Sequence, residues 1–261
     1  MHIKPKKSLG QVFLTDKNLQ NKIIEACGFE LRDIVLEIGA GRGELTQLII
    51  PRVAAVFALE IDYGLCEILR DKFEESPNIK IINQNILKLD FKKYFIRTHK
   101  KIKVVGNIPY YITTPIIEYL LKVRDKIDII FITVQKEFAK RVTASPGSKD
   151  YGALSCFLQY YTEPKIMFNI NKTCFYPAPK VDSCLLRLKV KQNTGLNKCQ
   201  ERLVFKIIRA AFGKRRKTLR NSLKGTISAN KLNKFFKKFG IDPNIRPERL
   251  TLHQFINLAK A

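Results

Sequence analysis

Five short apolar runs, each separated from the next by helical text, restrict the fold of this chain more than any other feature. They are Ile34–Ile38 (IVLEI), Val53–Leu59, Ile79–Ile82, Lys103–Gly106 (KVVG) and Ile127–Val134 (IDIIFITV). Asp16 reads as the N-cap of a helix through Cys27, with Leu19, Ile23 and Ile24 on its apolar side. Further helices are expected from Glu44 to Ile50, stopped by Pro51, from about Gly64 to Glu75, and from Thr114 onward. Near-continuous apolar strands alternating with helices predict βαβ units and a parallel sheet buried on both faces.

The pattern loosens beyond Gln135. Gly152–Tyr161 reads as a helix, and Lys165–Phe168 and Ser183–Val190 as a hairpin-like addition to the sheet. Residues 191–200 are polar and turn-prone, and from Glu201 the text is helical and basic. The expectation is an α/β domain over residues 1–190, opened by a basic arm at 1–15, and a small all-helical domain over 200–261.

The charge is the exceptional bulk property. Against 23 Asp and Glu stand 48 Lys and Arg, for a net +25, which calls for a polyanionic partner, nucleic acid before an anionic membrane. From Arg202 to Ile241 there are thirteen Lys and Arg and no Asp or Glu. A solvated helix face alternates its charges so that neighbours pair; this stretch instead fits phosphate contacts. The six cysteines form no C-x-x-C pair and only three histidines are present, so no metal site is expected and the thiols read as reduced. Residues 1–10 lack an apolar leader and no segment reaches eighteen apolar residues, so the expected setting is cytoplasmic, without membrane insertion.

Glu37-Ile38-Gly39-Ala40-Gly41-Arg42-Gly43 is a glycine loop between a strand and a helix. The dinucleotide fingerprint needs a small residue where Glu44 stands. Carboxylates on both sides of the loop disfavour a pyrophosphate and suit a cation. S-adenosylmethionine has a sulfonium, an ammonium and a ribose but no phosphate, and Glu60, ending the next strand, is placed for ribose hydroxyls. Asn107-Ile108-Pro109-Tyr110, at the end of the fourth strand, sets an amide and an aromatic ring where open α/β sheets bind ligands; alone, it is also ordinary turn chemistry.

With these motifs the chain resembles the S-adenosylmethionine-dependent rRNA adenine N6-dimethyltransferases. The resemblance rests on four blocks in family order: Lys7–Leu14 (KSLGQVFL), Asn107–Tyr110 (NIPY), Phe175–Ser183 (FYPAPKVDS) and Phe212–Leu223 (FGKRRKTLRNSL). It implies a Rossmann-like methyltransferase domain with a small helical domain behind it. It also implies that Gln11, Val12, Leu14, Gly39, Gly41, Glu60, Ile61, Asn85, Ile86 and Asn107 surround the cofactor. Two positions depart from the family. Val12 replaces the usual Asn or His, leaving only a backbone contact, and Asn85 replaces an Asp that receives the adenine amino group, so that bond loses charge assistance.

The chemistry implied is positional. Asn107 and the Ile108 carbonyl accept hydrogen bonds from the target amine, Pro109 keeps the turn rigid, and Tyr110 and Phe175 stack on the two faces of the base. Tyr111, Tyr160, Tyr161 and Tyr176 are assigned to packing. Lys214, Arg215, Arg216, Lys217 and Arg220 are the expected RNA contacts. The implied substrate is small-subunit rRNA in an immature ribosomal subunit, modified at two adjacent adenosines by a monomeric enzyme. The alternatives are the branch that modifies large-subunit rRNA and an RNA-binding factor that kept the fold without the activity.

Overall fold

The computed structural model describes residues 4–95, 98, 100–214 and 216–260. The chain divides into two compact units, Met1–Ala139 with Lys165–Gln192, and Lys140–Pro164 with Asn193–Ala261. One break, near residue 192, falls within the polar, turn-prone stretch 191–200. The boundary at residue 139 departs from the expectation: the second unit also takes Lys140–Pro164 from the middle of the chain, a stretch assigned above to the first domain.

The first unit is built on the strands β2 (Ile34–Ile38), β3 (Ala55–Glu60), β4 (Ile79–Asn83), β5 (Ile102–Asn107), β6 (Ile127–Gln135), β7 (Thr162–Ile170) and β9 (Ser183–Val190). Two further strands, β1 (Phe13–Leu14) and β8 (Phe175–Tyr176), form a separate antiparallel pair. The seven-stranded sheet has the order β4-β3-β2-β5-β6-β9-β7. Strands β4 to β6 are parallel, and β9 runs antiparallel to β6. The helices of this unit are α1 (Lys17–Cys27), α2 (Thr46–Ile49), α3 (Tyr63–Lys72), α4 (Phe91–Phe95) and α5 (Thr113–Lys122), and α6 (Lys136–Thr143) leads out of it. The Asp16 cap is present, its side chain accepting from the Leu19 amide, and Asp62 caps α3 in the same way through Gly64. Pro51 does not end helical structure outright, because a 3₁₀ turn, Ile50–Arg52, carries it at its first positions. The short α4 and the helix α6 were not anticipated.

Alternate strand residues go to opposite layers. Val35, Val56, Val105, Phe131 and Leu185 pack in one cluster with Leu19, Ile23 and Ile24 of α1 and Ile49 of α2. On α4, Phe95 lies 4.7 Å from the Phe57 ring, and Phe91 lies 5.9 Å from Tyr119 of α5. Coverage on both faces is what the unbroken apolar strands require. Among the described residues no helix is long and apolar enough to cross a membrane. All six cysteines are free, and burial pushes the thiols of Cys66 and Cys184 up to about 11.

The second unit holds α7 (Ala153–Tyr161), α8 (Lys198–Phe212), α9 (Leu219–Ser222), α10 (Ala229–Phe239) and α11 (Leu252–Lys260). Phe205 of α8 packs against Phe157, Tyr160 and Tyr161 of α7 at 5.1–5.6 Å, and Tyr151 packs edge-on against Phe212.

In the sheet, β2 has β3 on one side and β5 on the other, so the chain reverses its direction of winding between β2 and β5. Ligands of open α/β sheets bind at such a point, outside the carboxyl ends of the strands. Gly106 faces Ile38 across this pair, and a Cβ on Gly106 would sit 2.8 Å from the Ile38 carbonyl oxygen. No side chain fits there without parting the two strands. Gly106→Ala is therefore expected to cost about 1–3 kcal/mol of stability, read as a lower urea midpoint at unchanged slope; an unaltered midpoint refutes the packing argument.

Candidate functional site

A cavity of about 550 Å³ opens at this reversal point. Its lining includes Gln11, Val12, Leu14, Gly39, Gly41, Glu60, Ile61, Asn85, Ile86, Asn107, Ile108, Pro109 and Tyr110. Thus the arm, the glycine loop, the β3 and β4 ends and the Asn107 turn, distant in sequence, meet around one space.

The glycine loop is strapped to β3, the amides of Gly39 and Ala40 donating to the Leu59 carbonyl at 2.8 and 3.2 Å. Gly41 has φ +60°, which turns its amide toward Glu60 Oε2 at 3.0 Å. Glu60 Oε1 accepts from the Ile61 and Asp62 amides at 2.8 and 2.9 Å. A carboxylate has about four acceptor positions; three backbone donors leave one, on Oε2, facing the cavity. Burial raises the Glu60 pKa despite these bonds.

Glu37 opens the glycine motif and reads as one of its flanking acids, though it is not among the residues expected around the cofactor. It is 2% exposed and lines the cavity. Thr46 Oγ1 donates to its Oε2 at 2.6 Å. Burial pushes its pKa up to about 8 against that bond, and repulsion from Glu44 and Glu60 adds to the rise. Three acids so placed suit a cation, whose charge would favour the ionised form of Glu37.

At the β5 end, Asn107 Nδ2 donates to the Val12 carbonyl at 2.8 Å. The bond fixes which way the amide points, so Oδ1 is the free acceptor. Among the described residues no backbone group donates to the Ile108 carbonyl. A 3₁₀ turn, Tyr110–Ile112, follows Pro109, and the Tyr110 hydroxyl hydrogen-bonds to Ser183 Oγ. Asn85 Oδ1 accepts from the Leu87 amide at 2.9 Å, capping the short turn after β4, with its second lone pair remaining.

The arm is held at three places. Lys6 Nζ pairs with Asp62 Oδ1 at 2.8 Å and Gln11 Nε2 donates to Asp62 Oδ2 at 3.0 Å. Burial alone would raise the Asp62 pKa, but the bonds from Lys6 and Gln11 and the Lys6 charge outweigh it, and the pKa is lowered. The second hold is the Val12–Asn107 bond. The third is β1 on β8, which pairs Phe13 with Tyr176 and Leu14 with Phe175.

This geometry bears on four of the sequence assignments. The Gln11 amide also fastens the arm, its Oε1 accepting from the Lys6 amide at 2.8 Å, which leaves it one N–H and one lone pair at the cavity it lines. Phe175 is 3% exposed, sits in the core cluster with Leu14 and Ile170, and does not line the cavity. Burying such a side chain is worth about 1.5–3 kcal/mol, whereas stacking contributes only when a base is present. Strand alternation turns its neighbour Tyr176 outward, 60% exposed. Tyr111 is exposed as well, while Tyr160 and Tyr161 are buried as expected.

In the second unit, Lys214, Arg216 and Lys217 follow the end of α8 and are exposed; Arg215 lies outside the described residues. Arg220 reaches α10, donating from Nη2 to Asn233 Oδ1 at 2.8 Å and lying over the Phe236 ring. Leu232, Phe235 and Phe236 turn α10 inward, which leaves Lys234, Lys237 and Lys238 in solvent.

Glu37 also sets a pH dependence. Its folded pKa of about 8 lies above the unfolded value of 4.5, so between the two the folded state holds a proton that the unfolded state has lost. Stability then falls as pH rises through that window, by on the order of 1 kcal/mol per pH unit. Glu37→Gln should flatten the change in melting temperature between pH 5 and 8; an equally steep dependence in the variant would assign it to other groups.

Comparisons with known proteins agree with this geometry. A family model described as ribosomal RNA adenine dimethylase matches residues 2–261. The chain is 42% identical over 266 residues to the Ribosomal RNA small subunit methyltransferase A of Halothermothrix orenii, covering 99% of this chain and 88% of that protein. It is 44% identical over 260 residues to the protein of the same name from Lachnoclostridium phytofermentans, covering 97% and 90%. Among solved structures, a dimethyladenosine transferase from Plasmodium falciparum superposes with a TM-score of 0.80 at 25% identity, covering 94% of this chain and 95% of that one. With a family match that runs almost end to end and relatives at 42% and 44% identity, the chain belongs to the ribosomal RNA adenine dimethylase family.

Proposed function

We propose that the protein dimethylates N6 of two adjacent adenosines in small-subunit rRNA within an immature ribosomal subunit, acting in the cytoplasm with S-adenosylmethionine as methyl donor. The observation that carries this reading is the Asn107 amide, its NH₂ tied to Val12 and its Oδ1 left free beside the Ile108 carbonyl.

The residues present fit the cofactor. Glu37 Oε2 is taken by Thr46, and no donor reaches its other oxygen among the described residues, so a buried acid is available to an ammonium group. The open acceptor position on Glu60 suits a ribose hydroxyl, and Asn85 and Ile86 border the space for an adenine ring. When bound, the cofactor supplies an electrophilic methyl group on a sulfonium.

The protein's own part is positioning. An exocyclic adenine amine is a weak nucleophile because its lone pair is delocalised into the ring. Asn107 Oδ1 and the Ile108 carbonyl accept its two N–H bonds, draw it toward a tetrahedral shape and stabilise the positive charge that develops. Tyr110 supplies one stacking wall, and a paired base has to leave its helix to reach it. Lys214, Arg216 and Lys217, with the outward lysines of α10, supply phosphate contacts for structured RNA. The names of the relatives at 42% and 44% identity favour the small subunit. Labelled S-adenosylmethionine with immature small subunits or with naked large-subunit rRNA separates the readings; label in the latter alone excludes ours.

Two substitutions test the residues. Asn107→Ala should lower the methylation rate by roughly 10²–10³ while RNA affinity in a filter-binding assay stays the same; retained activity removes Asn107 from the mechanism. Asn85→Asp keeps the turn cap and adds charge to its acceptor, so calorimetry should show the cofactor binding roughly fivefold tighter; unchanged or weaker binding disposes of that role.

A further inference from the structure

We propose that Ser183 is a positioning residue for methyl transfer, because its hydroxyl anchors the free end of the Tyr110 ring. The inference rests on the function proposed above and names a residue with no assigned part in it.

Ser183 is wholly buried, and a buried hydroxyl needs a partner. The partner it finds is the Tyr110 hydroxyl. Tyr110 leaves the chain in a 3₁₀ turn after Pro109, and its ring lines the cavity. Fixed by its backbone at one end and by Ser183 at the other, the ring cannot swing about χ1 to another staggered position. Burial raises the phenol pKa, so the hydroxyl stays neutral and able to donate.

The anchor itself stands on rigid ground. Ser183 opens β9 and pairs with Gln135, the last residue of β6, which places it at the ligand end of the sheet. The preceding Asp182 is fixed twice, its carbonyl accepting from the Lys136 amide at 3.0 Å and its Oδ1 from the Lys172 amide at 3.2 Å. With Phe175 in the core, the orientation of Tyr110 decides where a flat base comes to rest. A 1 Å error there is costly, because methyl transfer demands alignment of the amine with the methyl group.

Ser183→Ala and Tyr110→Phe each delete this one bond and spare the ring. Each is expected to lower kcat about tenfold, with cofactor affinity within twofold of the parent by calorimetry. Each single variant leaves a hydroxyl unpaired and should unfold at lower denaturant. The double variant removes both hydroxyls, so its midpoint should recover while kcat stays at the single-variant level. Recovery of kcat together with the midpoint would mean that Ser183 serves stability alone, and would overturn the proposal. A second readout needs no RNA. In ¹³C-tyrosine-labelled protein, with Tyr110 assigned through Tyr110→Phe, Ser183→Ala should move the Tyr110 ring signal, and an unmoved signal refutes the anchor. If the parent methylates no rRNA, the proposed function fails, and the ring signal still decides whether Ser183 holds Tyr110.

Discussion

Everything at the site depends on how closely β2 and β5 approach each other. Gly106 allows it, because the Ile38 carbonyl occupies the space that a side chain would need. The contact sets the glycine loop, which ends β2, beside the Asn107 turn, which ends β5. Under the function proposed above one loop faces the cofactor and the other the base, so the distance between methyl donor and acceptor would be set by the spacing of these two strands. Side chains carried on paired strands hold such geometry better than loops do.

The electrostatics of the chain have two opposite signs at two scales. The whole protein carries +25, whereas the cavity gathers Glu37, Glu44 and Glu60, each raised in pKa by burial. Long-range attraction therefore favours a polyanion at the surface, and short-range chemistry favours a cation inside. The arm joins the two scales. Lys6 spends its charge on Asp62, and the same segment presents the Val12 carbonyl that turns the Asn107 amide. Asn107, the arm, the β1–β8 pair, the Phe175–Ser183 block and Tyr110 form a closed circuit of contacts, returning through the turn to Asn107.

How much of this was legible depended on the range of the interaction. Strands such as Ile34–Ile38 and Ser183–Val190 were readable to the residue, because their apolar pattern is local and most of their residues are buried. The cavity lining was readable as well, since glycine, Glu60 and Asn107 stand at strand ends. What the sequence concealed was pairing at long separation. A two-residue strand such as Phe13–Leu14 has no period to detect, and its partner lies some 160 residues away. That pairing decides that Phe175 turns inward and Tyr176 outward. Gln11 was placed near the cofactor by resemblance alone, and its bond to Asp62, an acid remote in sequence, could not be read from the chain. Glu37 was legible as one of the acids flanking the glycine loop, but not as a residue of the cavity wall, because the burial that singles it out is not local.

The interleaving of the two units has a consequence for how the chain matures. The sheet unit is covalently complete once β9 has been made, but α7 is then already present without its partner. Phe157, Tyr160 and Tyr161 pack on Phe205, which lies beyond the linker. A chain ended after Val190 would therefore lack the Phe205 ring on which three aromatic residues of α7 pack. A cut at the linker would divide the helical unit, because Lys140–Pro164 belongs with it.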